Sequence, residues 1–459
     1  MIAVEDKLAL PARRRALDVN SLDEVPDSSF FTNRAGRVAG EAILRGPERD
    51  PAIDVEGSLV VVEAKPSGVT PGLVVRDRRD NRFVLKFDPL GQFGLLSGAE
   101  AVATRLLWAA GYNVPDNRVV DVSPEDFSAA PGVSAAHVAD ILARAARGPD
   151  GRVRALASRY LEGKVLGSMP WRGRRKDDPN DRVPHEERRA LRGLAYFYMW
   201  INNPDSKLEN ALDVFEAGPD GRGRVRHYLI DFGTSLGAGD AREDRVGWWA
   251  ELCPPNAGPS QDIDGPVATP ARCEELRARA RQVASDPLLA ALAPTVDPWR
   301  FQMLEPNPAF SRRDGGDAAW ASRILASFQR ADLVAAARAS GWPAEIQRRL
   351  VDRLESRQKS LLRSLYGRVS PLGRPYVENG AICAADLGEG LLASRGREVV
   401  VEGGQGRLEG PRVCVRPTGN GYRVLTLRVR AAAAGPLGAA MRVHALVDGG
   451  EIRIVGVER

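Results

Sequence analysis

Asp205-Ser206-Lys207-Leu208-Glu209-Asn210, and further along Ile230-Asp231-Phe232-Gly233, are the two stretches on which the reading of this chain turns. In the first, an acid, an amine and an amide leave the end of an apolar helical stripe (Leu191, Leu194, Phe197, Tyr198, Ile201) and enter a strand. In the second, an aspartate directly follows the apolar run Val225–Ile230. Between them, Asn210–Phe215 and Val225–Ile230 read as two short strands joined by Gly218-Pro219-Asp220-Gly221-Arg222-Gly223. A hairpin lays its two ends side by side, so Asn210 and Asp231 are expected to meet.

That meeting has a chemical meaning. Magnesium takes hard oxygen ligands, and two side-chain oxygens plus the phosphates of a nucleotide are a usual supply. Phosphoryl transfer further needs a cation on the transferred group and a carboxylate to orient the acceptor hydroxyl. Asn210 and Asp231 suit the metal, Asp205 the carboxylate and Lys207 the cation. Each residue also has a plainer reading. Lys207 and Glu209 could be solvated loop charges, and Asp231 before Phe232-Gly233 could be a turn-former.

With those residues in place, a resemblance can be stated. Asp205–Asn210 resembles the catalytic loop of protein kinases, D-x-K-x-x-N, and Ile230–Gly233 resembles their magnesium loop. The likeness covers roughly residues 57–366. It implies that Lys86, in Phe83-Val84-Leu85-Lys86, holds the α- and β-phosphates of ATP. It also implies that Glu100 pairs with Lys86 from the next helix, and that Arg159–Glu162 forms the adenine-facing hinge. Glu100 has a rival reading as the far end of a capping box opened by Ser97, and Lys86 could pair with Asp88 on its own strand. The chain departs from the pattern in three places. No G-x-G-x-x-G is present, so Gly68 and Gly72 of Pro66-Ser67-Gly68-Val69-Thr70-Pro71-Gly72 are the candidate phosphate cover. The lead-in is Asn202-Asn203-Pro204 rather than His-Arg, and no Ala-Pro-Glu follows. These differences resemble an atypical branch, the HipA-like or lipid-kinase-like kinases.

Working outward, the fold class expected is α+β: a bilobal kinase-like fold with a small C-terminal antiparallel β domain. Residues 1–56 read as an N-terminal lead-in whose first twenty positions form a loose arm. Residues 57–162 read as the N-lobe, with a hairpin of Leu73–Asp77 and Arg82–Asp88. A helix then stops at Gly111, and residues 128–151 are an insertion with a short helix. Residues 163–370 read as a helical C-lobe, rich in helix over 272–293 and 317–366. Residues 371–459 alternate apolar and charged positions, as in Tyr422–Arg430, with turns at Asn420-Gly421 and Asp448-Gly449-Gly450. The loop from Trp171 to Arg182 is expected to face solvent, and His227 to be a satisfied, half-buried side chain.

The bulk numbers are those of an ordinary globular chain. Its 459 residues carry 65 basic and 60 acidic side chains, so the net charge of +5 is a small remainder, and nucleic acid is not an expected partner. No apolar run of about 18 residues is present, so no membrane span is expected. The first residues lack the order of a secretory signal, which reads as cytoplasmic. Cys253, Cys273, Cys383 and Cys414 form no C-x-x-C pair and are read as free thiols.

The expected function is an ATP- and Mg2+-dependent phosphotransferase acting on a protein or small-molecule hydroxyl, with the C-terminal β domain as a site for a partner. Two alternatives stay open: a pseudokinase module that binds nucleotide without transfer, and an AMP transferase on the same fold. Thr234, Ser235 and Asp240–Arg245 are the expected region of self-modification.

Overall fold

The computed structural model describes residues 15–64, 70–90, 92–238, 292–392, 398–430 and 437–459. Over these it is a mixed α+β protein with four sheets and eight helices. None of the described helices is long and apolar enough to cross a membrane.

A short helix, α1 (Glu41–Arg45), precedes the strands β1 (Leu59–Ala64), β2 (Gly72–Arg76) and β3 (Arg82–Phe87). Helix α2 (Leu95–Ala110) follows, then β4 (Asn117–Val122), β5 (Phe127–Ala129), α3 (Ala135–Ala143) and β6 (Val153–Arg159). These six strands form one sheet in the order β4-β6-β3-β2-β1-β5. All neighbours are antiparallel except β1 and β5, which run parallel. The period of two in β3 divides its side chains. Phe83, Leu85 and Phe87 enter a core shared with β1, β2, β6 and α3, and Lys86 faces the opposite side.

Strands β7 (Lys164–Ser168), β8 (Ala211–Ala217) and β9 (Gly223–Leu229) make a second, antiparallel sheet, with α4 (Arg189–Trp200) between β7 and β8 in sequence. Four further helices follow: α5 (Pro308–Ser311), α6 (Gly315–Ser327), α7 (Arg330–Arg338) and α8 (Ala344–Tyr366). They join α2 and α4 in the largest core, where Trp200 and Trp320 are fully buried. The expected helical region 272–293 lies, but for its last two residues, outside the described residues.

The C-terminal strands are β10 (Tyr376–Glu378), β11 (Ala381–Ala385), β12 (Glu398–Glu402), β13 (Gly404–Glu409), β14 (Arg412–Pro417), β15 (Gly421–Arg430), β16 (Met441–Asp448) and β17 (Glu451–Glu458). They form two four-stranded antiparallel sheets, β10-β11-β14-β13 and β12-β15-β16-β17. One apolar core, with Ile382, Val413, Leu425 and Val443, draws on both.

Three expectations need correction. Residues 15–20 are not loose: Ala16 is buried, the Leu17 N–H donates to the Glu187 carbonyl and the Asp18 carboxylate accepts from the Arg189 N–H. Residues 1–14 lie outside the described residues. Cys383 and Cys414 are not free thiols but a disulfide. They stand directly opposite on β11 and β14, with Cα atoms 4.1 Å apart, and only strand register reveals that. Cys253 and Cys273 lie outside the described residues. The Trp171–Arg182 loop is also anchored. Asp181 is buried and accepts from His185 Nε2 at 2.8 Å, an Arg188 nitrogen at 2.7 Å and the Arg175 N–H at 2.6 Å. Burial would raise its pKa, but these partners outweigh it and hold the carboxyl far below the usual range.

Gly98 tests the packing of α2. A glycine inside a helix ordinarily gains up to about 1 kcal/mol on replacement by alanine. Here a Cβ would overlap the buried Trp342 indole, whose Nε1 donates to the Gly94 carbonyl at 2.6 Å. Overpacking costs about 1–3 kcal/mol, so Gly98→Ala should lower stability in urea unfolding, against the helix-propensity trend.

Candidate active site

Lys86 reaches across from β3, and its Nζ lies 2.8 and 3.1 Å from the two Glu100 carboxylate oxygens. The same nitrogen is 3.0 Å from Asp231 Oδ1. The ammonium is 14% exposed, Glu100 5% and Asp231 34%, so the cluster is sunk but open on the Asp231 side. Burial pushes the Lys86 pKa down, yet the charges of Asp231 and Glu100 outweigh it and hold the amine above the ordinary lysine range. It stays protonated.

Glu100 is aimed by the start of its helix. Gly94, in the left-handed region, provides no side-chain cap. Instead the buried Asp88 carboxylate accepts from the Gly94 N–H at 2.9 Å, the Ser97 N–H at 2.8 Å and the Ser97 hydroxyl at 2.7 Å. Ser97 is thus inside α2 and bonded to Asp88, so no Ser97–Glu100 capping box forms. Asp88, the other partner considered for Lys86, is occupied in the same way. Its role was readable only as an acid on the strand before the helix.

The Asp205 loop follows α4. Asp205 is 7% exposed, with Oδ2 3.0 Å from Lys207 Nζ, and Lys207 is 33% exposed. Asn210 Nδ2 donates to the Asp205 carbonyl at 3.1 Å. Asn210 Oδ1 is buried with no hydrogen-bond partner among the described residues. The hairpin expected from the sequence is present: Ala211 pairs with Leu229, and the Ile230 N–H donates to the Asn210 carbonyl at 3.0 Å. Asp231 comes next, with φ at +63°, a left-handed backbone that aspartate adopts more readily than most residues. Phe232 is fully buried in the helical core, and Gly233 passes beside Glu100.

Asn203 is a positioning residue that the sequence reading treated only as a departure. Its Oδ1 accepts from the Asp205 N–H at 3.3 Å and from the Thr234 hydroxyl at 3.0 Å, so it ties the two loops together. Thr234 is half-buried and engaged by Asn203, and Ser235 is buried. Asp240–Arg245 lies outside the described residues. Gly72 opens β2 opposite Lys86, whereas Gly68 lies outside the described residues.

His227 is buried rather than half-buried, and only Nδ1 is satisfied: Nε2 has no hydrogen-bond partner among the described residues. Its Nδ1 is 2.6 Å from Asp213 Oδ1, its ring stacks on Phe30 at 3.6 Å, and Arg175 donates to the other Asp213 oxygen at 2.9 Å. Among the described residues no three His, Cys, Asp or Glu side chains are grouped to hold a metal alone. Any ion here would share Asp231 and Asn210 with its own ligand's oxygens. The chain matches no protein-family model and no curated protein.

Two measurements check this geometry. Removing one partner of a buried ion pair costs about 3–5 kcal/mol, and the open Asp231 side reduces that. Lys86→Met should therefore destabilise by less than this, and the double variant Lys86→Met/Glu100→Gln should recover part of the loss in a double-mutant cycle of urea unfolding. Independently, burial holds the His227 imidazole below its ordinary value of 6.5 despite Asp213. The unfolded chain then binds a proton that the fold resists. Stability should be full above about pH 6.5 and fall on acidification, and His227→Gln should flatten that slope in melting curves from pH 8 to 5.5.

Proposed function

We propose that the chain is an ATP- and Mg2+-dependent phosphotransferase, an atypical kinase acting on a protein or small-molecule hydroxyl. On this reading residues 57–162 are the N-lobe and residues 163–370 the C-lobe of a bilobal kinase-like fold. One observation carries it: Lys86 is held between Glu100 and Asp231, with the unpartnered oxygen of Asn210 at the neighbouring hairpin end.

The residues fit a divalent ion. A carboxylate, and a buried amide oxygen without a donor among the described residues, are hard ligands that a cation would satisfy. Asp231 and Asn210 would hold it. When bound, magnesium neutralises phosphate charge during transfer. Lys86, kept cationic by its two acids, would bind the α- and β-phosphates, with Glu100 fixing its direction. Asp205 would orient the acceptor hydroxyl and take its proton as the acceptor oxygen bonds to the γ-phosphorus and ADP leaves. Lys207, 3.0 Å from Asp205, would offset the charge on the transferred group. The missing glycine-rich loop and the Asn202-Asn203-Pro204 lead-in accord with an atypical branch, HipA-like or lipid-kinase-like.

Incubation with γ-labelled ATP and magnesium is the test, first with the protein itself as acceptor. Asp205→Asn should lower transfer by about 10²-fold or more. Asp231→Asn should abolish it and remove the magnesium dependence of nucleotide binding. Wild-type turnover in either variant overturns the assignment. Transfer from α-labelled ATP alone would make the chain an AMP transferase, and magnesium-dependent ATP binding without transfer would make it a pseudokinase.

A further inference from the structure

Behind the segment Arg159–Glu162, a cavity of about 300 Å³ opens between that segment, residues 46–49 and residues 113–116. Lys86, Glu100, Asp205, Asn210 and Asp231 do not line it. Its size lies at the lower end of small-molecule sites, and four guanidinium groups line it, from Arg34, Arg49, Arg159 and Arg226.

The carboxylates of the wall are largely spent elsewhere. Glu48 pairs with Arg105 at 2.5 Å, and Asp116 with Arg118 at 3.1 Å. Arg226 is held by Glu216 at 2.6 Å, and Arg49 has an exposed contact with Glu162 at 3.5 Å. Arg34 and Arg159 have no carboxylate within 4 Å among the described residues. They donate to backbone carbonyls instead: Arg34 to Trp108 and Tyr112, each at 2.6 Å, and Arg159 to Pro51 at 2.9 Å. Burial, and then the charge of Arg226, push the Arg34 pKa down to about 10. Arg34, crowded by Arg226 and 5.1 Å over the Trp108 ring, and Arg159 thus both line a concave wall that also carries the ring of Tyr228. The donor fork of a guanidinium matches the oxygen geometry of phosphates and carboxylates.

We infer that this cavity binds a small organic anion, with its phosphate or carboxylate between Arg34 and Arg159 and its body against Trp108. Such a ligand would press on Arg159, whose backbone pairs with Phe83 on the strand that carries Lys86.

Hydrogen exchange on the full chain tests this, with inorganic pyrophosphate and citrate as probes at fixed ionic strength. Slower exchange over 46–49, 113–116 and 159–162 is expected, and the probe that produces it identifies phosphate or carboxylate chemistry. Arg34→Gln and Arg159→Gln should each weaken that binding by about tenfold or more, as loss of a charge-assisted hydrogen bond does. Lys86→Met should leave it unchanged, which separates the site from nucleotide binding. The wild-type protection pattern stands without the variants should either fail to fold. No protection, protection confined to residues around 86, 205–210 and 231, or wild-type affinity in a folded Arg34→Gln overturns the assignment.

Discussion

A single ammonium group, Lys86 Nζ, organises the centre of this molecule. It sits between carboxylates that are 14 and 145 positions away in sequence, and so joins β3, α2 and the turn after β9. Two acids share one cation in a largely buried cluster. The cost of burying it is limited because Asp231 stays one-third exposed, and Coulomb energy at such a boundary falls between the interior and bulk-water extremes. Asp231 is the exposed side of the cluster, next to the hairpin end that holds Asn210. Under the proposed function a divalent cation would lie there, which ties the geometry of the cluster to that use.

The cluster depends on supports that do no chemistry themselves. Asp88 satisfies the amide groups at the start of α2 and so fixes the turn from which Glu100 projects. Asn203 joins the Asp205 loop to Thr234. Behind that loop, the Leu304 N–H donates to the Pro204 carbonyl at 2.8 Å. Phe232, locked in the helical core, leaves Asp231 little freedom to leave its left-handed backbone. Under the proposed function these groups must be held before a ligand arrives, and Glu100, Asp205 and Asp231 are each braced by a buried residue: Asp88, Asn203 and Phe232.

What could be read in advance was local. The alternation in Arg82–Phe87 gave both the strand and the side on which Lys86 lies, and the turn between Phe215 and Val225 gave the hairpin that brings Asn210 beside Asp231. The alternating charged strands after Pro375 announced antiparallel sheets. Hidden features were long-range. Asp88 caps a helix from outside it, which no capping pattern within α2 records. The parallel pairing of β5 with β1 leaves no turn signal, and β7 is too short and too exposed to show periodicity. Cys383 and Cys414, 31 residues apart, meet only because two strands align in one register. Asp181 of the Trp171–Arg182 loop read as solvated because charge ordinarily is; its partners are Arg175 within the loop and His185 and Arg188 just ahead of α4.

Charge also fixes the join between the helical core and the C-terminal sheets. Asp23, 3% exposed and with φ at +62°, accepts from Arg189 at the start of α4 at 2.6 Å and from Arg459 after β17 at 3.4 Å. Its neighbour Glu24 takes Arg323 of α6 at 2.8 Å and Arg374 at 3.1 Å. Apolar faces would slide against each other at modest cost, but buried ion pairs tolerate little change in distance or direction before a charge is left uncompensated. Two adjacent acids in the N-terminal lead-in therefore act as a keyed joint, with the last strand on one side and helices α4 and α6 on the other. The lead-in is part of the architecture rather than an appendage, and the C-terminal sheets are set against the helical core by charge as well as by packing.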